Sequence, residues 1–320
     1  MIEPMTANPP HDARRMIELP SGEPIEPPTR RKPWAAALLS LVVPGLGQLY
    51  AGAPLRALIV WAGVFVVTPV GVAVAMLLPG VAQIAAIILF GLGVVVLAMW
   101  DAARTARAPS LAHRRAPYAR WYVYTAIILV SIFIVQPRLF AWMHAHVATA
   151  YRIASTSMEP TLLRGDYILT VPLRGEIARG DLIVHRTPAG TFVKRVVALP
   201  GDTVAMQNGR LTIDGRAVSE PYAQWGDTAD MTVPEFGWQR AVLASSVDQS
   251  AYQPSLRTWG PLVIPRDEYF LLGDFRDNSL DSRYLGLEPR AEMIGRPTIV
   301  YLSADSGVGV RWSRIGRRAE

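Results

Sequence analysis

The chain has 320 residues, 51% of them hydrophobic and 18% charged, a balance unusual for a wholly soluble protein and long enough for about two domains. Its formal net charge is +6, but the arginines gather in the N-terminal tail and between Asp101 and Arg120, with no basic stripe interleaved with aromatics, so nucleic acid is excluded as a partner. Cysteine is absent, which excludes disulfides, thiolate metal sites and a cysteine nucleophile.

Residues 1–33, rich in Pro, Glu and Arg and without apolar periodicity, read as a disordered cytoplasmic tail rather than a secretory signal. Residues 34–143 read as a membrane region. Its first stretch, WAAALLSLVVPGLGQLYAG over 34–52, is broken by Pro44, Gly45 and Gly47 and carries Gln48. The uncharged run 57–78 would reach ~33 Å as a helix, enough for a hydrocarbon core of ~30 Å. A second uncharged run, 81–100, follows the Pro79-Gly80 turn, and a third spans 121–143, with Arg138 placed to snorkel. The basic segments TRRK (29–32) and Arg104 to Arg120 both belong in the cytoplasm, because positive loops stay inside. An even number of crossings must separate them, and helices 57–78 and 81–100 supply two. The stretch 34–52 is therefore expected to be re-entrant or interfacial, and everything beyond about Ala145 to lie outside the cytoplasm.

From Tyr151 the pattern changes to short apolar runs: DYILTVPL, GDLIVHR, GTFVKRVVAL, RLTIDG, EYFLLGD, RPTIVYLS and GVRWSRI. Asn208-Gly209 and Asp214-Gly215 are hairpin signals. The expected fold is N-terminal α-helical membrane segments followed by an all-β domain over 151–320, with an irregular insertion at about 219–260. Two RGD triplets, at 164–166 and 179–181, each lead into a strand and read as turns.

Candidates for chemistry are few. No HExxH, zinc spacing, Walker loop or GxSxG elbow is present, so neither a metal nor a cofactor is expected. A Ser–His–Asp triad would have to use His185, on an apparent strand, and nothing local supports it. Of thirty-two basic residues only two are lysines, Lys32 and Lys194. An arginine cannot surrender its proton in a protein, whereas a buried lysine can, so Lys194 stands out on its strand. The string IASTSMEPTLLRGDYIL offers two serines one residue apart before a sharp turn; on local grounds the Ser157 hydroxyl could equally cap that turn.

STSMEPTL, RGDYIL, KRVVALPGD and GDFRDNSLDSRYLG occur in this order, with WGPLVIP before the last and RWSRIG near the end. Together they resemble the successive boxes of type I signal peptidases, membrane-bound Ser–Lys endopeptidases that remove signal peptides from exported preproteins. The resemblance covers roughly Ile153 to Gly316. It implies a signal-peptidase-like catalytic domain of antiparallel sheets, with Ser157 as nucleophile and Lys194 as general base. Ser155 and the Ser157 N–H would form the oxyanion hole, and Ser279 would orient the lysine. Asp281 and Arg283 match a supporting salt bridge; Asp274, Arg276 and Arg195 belong to the same framework. Ile153, Met158, Leu162 and Val193 would line a small substrate pocket suited to Ala-x-Ala cleavage sites. The implied partners are preprotein signal peptides and membrane lipid, at the inner membrane with the catalytic domain on the extracytoplasmic side. The chain departs from the pattern at Thr156, where glycine is common, and at Phe275, where asparagine is common. Two further readings remain at this point: a specialised Ser–Lys maturation peptidase of narrow substrate range, and a non-catalytic membrane scaffold.

Overall fold

The computed structural model describes residues 31–108, 118, 120–188, 190–305, 307 and 309–320. The tail expected over 1–33 therefore lies outside the described residues except for its last three, as does most of the basic loop before Arg120.

Helix α1 (Pro33–Val42) opens on a proline whose fixed φ suits a first turn. It ends at Val43, which precedes Pro44 and takes an extended conformation. Gly45 (φ +96°) then starts the short α2 (Leu46–Tyr50). A Cβ on Gly47 would collide with Ala36 O, so α1 and α2 approach at backbone distance. Helices α3 (Pro54–Ala75) and α4 (Gly80–Arg107) form a hairpin. A polar network knits the four together. Ser40 Oγ donates to Gln48 Oε1 (3.0 Å), and Gln48 Nε2 donates to Ala98 O (3.1 Å) and to Asp101 Oδ2 (2.9 Å). Arg56 pairs with the same Asp101 carboxylate, its Nε donating at 3.0 Å. That pairing explains why α4 runs on to Arg107, past the end of the uncharged run: Asp101 is compensated where it stands.

Helix α5 (Trp121–Val130) passes through one π-helical turn, Ser131–Val135, into α6 (Gln136–His146). Among the described residues three helical stretches are long and apolar enough to cross a membrane: Pro54–Ala75, Gly80–Arg107 and Trp121–His146. Their outward faces carry exposed large apolar side chains such as Leu58, Val66, Leu89 and Phe133, the surface expected of lipid contact rather than of water.

The β part follows at once. The strands are β1 (Thr149–Arg152), β2 (Asp166–Pro172), β3 (Leu182–Thr187), β4 (Gly190–Ala198), β5 (Thr203–Gln207), β6 (Arg210–Ile213), β7 (Arg216–Ala217), β8 (Trp259–Val263), β9 (Glu268–Leu272), β10 (Glu288–Pro289), β11 (Met293–Asp305) and β12 (Gly309–Val310). One sheet runs β1-β2-β11-β3-β4-β9-β10, with β12 on β11; a smaller one runs β7-β6-β5-β8. All named strand pairs are antiparallel. Asn208 and Asp214 take positive φ (48° and 51°) at the two hairpin turns, each followed by a glycine that does the same. A core around Val204, Met206, Trp259, Leu262 and Phe270 joins the smaller sheet to β9, and the insertion covers it through Phe236 of a 3-10 helix, Pro234–Val242. GVRWSRI, expected as a strand, is strand only at Gly309–Val310. It then turns into Trp312–Arg314 because Arg314 swings in to pair with buried Asp166. The aspartate of the first RGD triplet is thus an internal counter-ion.

Candidate active site

The loop between β1 and β2 carries Ser155 and Ser157. Ser155 is exposed and Ser157 is 8% exposed, with their Oγ atoms 3.1 Å apart. Two bonds tie this loop to the one after β9. Phe275 N donates to Ser157 O (3.1 Å), and Asn278 Nδ2 donates to Thr156 Oγ1 (2.7 Å). The second exists because threonine stands at 156; a glycine there could not accept it.

Lys194, on β4, is 1% exposed. Opposite it on β3 is Ile183, and Val196 lies two residues along the same face, so its stem joins the apolar cluster of Ile183, Val196 and Leu271. Its Nζ donates to Ser279 Oγ at 2.9 Å. Burial lowers its pKa to about 8; the Asp281 carboxylate pulls the other way, and Arg283 reinforces the fall. Among the described residues no hydrogen bond joins Lys194 Nζ to Ser157 Oγ: Ser279 takes the lysine and Ser155 takes the serine. The two loops meet at Gly273, where a Cβ would collide with Ser279 Oγ and come within 2.6 Å of Ser157 O. Only a glycine lets Ser279 reach the lysine beside the nucleophile loop.

Beneath this lies a layer of buried ions. Arg283 Nε donates to Asp281 Oδ1 and its Nη2 to Asp281 Oδ2, both at 2.9 Å, while Gly273 N donates to Asp281 Oδ2 (3.0 Å). Burial raises the Asp281 pKa, but Arg283 outweighs it and holds the carboxyl below its ordinary range. Arg195 pairs with Asp274 through Nε (2.8 Å) and Nη2 (2.7 Å), and lies 3.8 Å over the Tyr222 ring. Tyr222 is pushed up to about 12, by burial first and then by Glu220. Arg276 pairs with Glu220. Glu220 and Tyr222 are not legible from the motifs, and Thr161, which donates to Asp274 Oδ2, stands in the STSMEPTL box with nothing there to single it out. The first two sit in the irregular insertion, and Thr161 is one hydroxyl among many. Gly273 could have been found, as the glycine opening GDFRDNS.

Ile153, Met158 and Leu162 pack in one cluster, with Val193 against it. Met158 (2% exposed), Leu162 (0%) and Ile153 (7%) are all buried, and Val193 is half-buried. His185 lies elsewhere: its Nδ1 is 3.3 Å from Glu288 Oε2, both are buried, and no hydrogen bond links it to Ser157. A Ser–His–Asp arrangement is absent among the described residues, as is any group of three or more His, Cys, Asp or Glu placed to hold a metal ion.

The buried Lys194 is thus held by Ser279 next to the loop that carries Ser157, with no histidine in the arrangement. The family model described as signal peptidase, peptidase S26, matches residues 119–302. The chain is 34% identical over 155 residues to Signal peptidase I S of Bacillus subtilis, covering 47% of this chain and 75% of that protein. It is 33% identical over 180 residues to Signal peptidase I of Bacillus amyloliquefaciens, covering 55% and 84%. A crystal structure of a signal peptidase I from Enterococcus faecalis is 27% identical, covers 39% of this chain and 98% of that one, and has a TM-score of 0.27. The chain belongs to the signal peptidase family, peptidase S26, and is a serine endopeptidase of the signal peptidase I type.

Proposed function

We propose that this protein is anchored in the inner membrane by the three long helices and removes signal peptides of the Ala-x-Ala type from exported preproteins, with Ser157 and Lys194 as a catalytic dyad. The observation that carries the reading is Lys194: the single lysine of the β domain, 1% exposed, held by Ser279 and lowered to about 8.

An ordinary lysine, with a pKa of ~10.4, is neutral in only about one molecule in 2,500 at pH 7; at about 8 the fraction is roughly one in ten. The hydrogen bond to Ser279 fixes the amine and leaves its lone pair for the Ser157 hydroxyl proton. The Ser157 oxygen attacks the scissile carbonyl as that proton passes to Lys194. Ser155 Oγ turns its hydrogen from Ser157 to the developing oxyanion, beside the Ser157 N–H; a donor of this kind is worth about 3–4 kcal/mol in other enzymes. Lys194 then protonates the leaving amine. A water attacks the acyl-enzyme with the same lysine as base. Alanine-sized side chains at the first and third positions before the cut would pack against Ile153 and Val193. The direct test incubates detergent-solubilised protein with a preprotein. Clipping after Ala-x-Ala is expected, and replacing either alanine by phenylalanine should remove it. Uncut preprotein would overturn the reading.

The proposed topology has three crossings, with 34–52 not spanning and 151–320 outside. Two features support it: α1, at ten residues, reaches only ~15 Å, and the α3–α4 turn sits against the β domain, so both occupy one side. Single cysteines at Thr29, Arg107 and exposed Ser246 test it in this cysteine-free chain. An impermeant thiol reagent on intact cells should label the Ser246 position fully and the other two not at all. Labelling at Thr29 would mean that the first segment spans.

A further inference from the structure

The matched family region begins at residue 119, which leaves the α3–α4 hairpin without a role. The hairpin's turn is seated on the β domain. A Cβ on Gly316 would lie 2.5 Å from Val81 Cγ2 and 3.0 Å from Val81 N, and one on Gly80 would lie 3.3 Å from Gly316 O. Backbone meets backbone there. A cavity of about 510 Å³ lies beside this contact, between Met76–Gly80 and Gly180, Arg195 and Arg296. A smaller one of about 270 Å³ separates Ala73 and Met76 from Val171, Pro172 and Arg174. The hairpin therefore faces the end of β2, the start of β11 and the C-terminal segment together.

That segment leads directly to the nucleophile loop. Gly316 N donates to Val300 O (2.9 Å), Arg314 Nη2 donates to Thr161 O (2.8 Å), and Ala319 packs in the cluster of Ile153, Met158 and Leu162. Beside the hairpin the β domain joins α6 through Val147, with Arg174 Nη2 donating to His146 O (2.8 Å), and His146 and Val147 line the smaller cavity together with Ala73 and Met76.

We propose that the α3–α4 hairpin is a second foot for the peptidase domain, fixing the height of Ser157 above the bilayer and so selecting which peptide bond is cut. This rests on the signal-peptidase reading. A domain of about 170 residues has a radius near ~15 Å, so a ~30° swivel about a single tether would move the site by ~8 Å. An extended peptide advances ~3.3–3.6 Å per residue, so that swivel blurs the choice by more than two residues. Two feet remove the swivel. The apolar segment of the substrate, fixed in the membrane, is then measured against a fixed blade.

The test uses the full-length enzyme and a preprotein carrying two Ala-x-Ala sites three residues apart. Gly316→Leu wedges the contact from the domain side, and Val81→Trp wedges it from the exposed start of α4. Wild type is expected to prefer one site by at least twentyfold and both variants by less than threefold, while kcat/KM for a short soluble peptide stays within twofold. An unchanged site ratio in Val81→Trp would overturn the proposal, whatever becomes of Gly316→Leu. So would equal loss on peptide and preprotein in both variants, which would make the contact merely structural. A wild type that cuts neither substrate would instead overturn the proposed function.

Discussion

Lys194→Arg is expected to lower preprotein cleavage by about 10²–10⁴-fold with the fold intact, the range that a positioned general base contributes. Arginine keeps the positive charge and much of the length of the side chain but cannot release its proton, so it separates base chemistry from charge. Ser157→Ala should fall to the uncatalysed background. The wild type should show an acidic limb near pH 8 in kcat/KM, with activity falling tenfold per unit below it, because only the neutral amine is competent. Substantial turnover by Lys194→Arg, or a flat profile between pH 6 and 8, would sink the mechanism.

The same residue carries a stability prediction of definite sign. Folding lowers the affinity of Lys194 for a proton. The native state is therefore penalised where the ammonium dominates in both states, below about pH 8, and the penalty fades as pH rises towards the unfolded value of ~10.4. At 1.36 kcal/mol per unit this amounts to about 3 kcal/mol at neutral pH. Lys194→Met, dead as an enzyme, should therefore unfold at higher denaturant than wild type at pH 7, with the gain shrinking by pH 10. The lost bond to Ser279 subtracts about 1 kcal/mol.

What was legible in the sequence was what is local. The hairpin turns at Asn208-Gly209 and Asp214-Gly215 follow from residues that tolerate positive φ, and the long apolar runs from length alone. Lys194 was visible by its rarity, and Ser157 and Ser279 by their boxes; the structure brings Lys194 to Ser279, and both beside the nucleophile loop, at Gly273. What depends on distant pairing was not visible. β11 lies between β2 and β3 although more than a hundred residues separate them, and no short-range pattern encodes that order. Helix ends shifted by a few residues because a proline and a compensated aspartate, not hydropathy, set them. Glu220 and Tyr222 matter because their loop returns to Arg276 and Arg195, a fact of tertiary packing.

Asp281→Ala should destabilise the protein by about 3–5 kcal/mol, the usual consequence of leaving one buried charge without its partner. Both Asp281 and Arg283 are essentially inaccessible, at 1% and 0% exposure. The carboxylate accepts from Gly273 N, Arg283 N and the Arg283 guanidinium, so its removal strands an arginine in the interior and frees the backbone on which Ser279 rests. Arg283→Met should cost a similar amount by stranding the aspartate. The double variant Asp281→Leu/Arg283→Met should recover most of the loss, because an apolar pair of similar volume has no charge to desolvate. The carboxyl is held below its ordinary range, so its contribution is complete above ~3.9 and is lost as pH falls through the lower native value. The pair also reads out in catalysis. Asp281 raises the Lys194 pKa and Arg283 lowers it, so Asp281→Asn, which keeps the shape and most of the hydrogen bonds, should move the acidic limb of kcat/KM to lower pH. Arg283→Met should move it to higher pH. A merely structural pair would change stability and leave the limb in place; opposite shifts from the two variants would tie these buried ions to the protonation of Lys194.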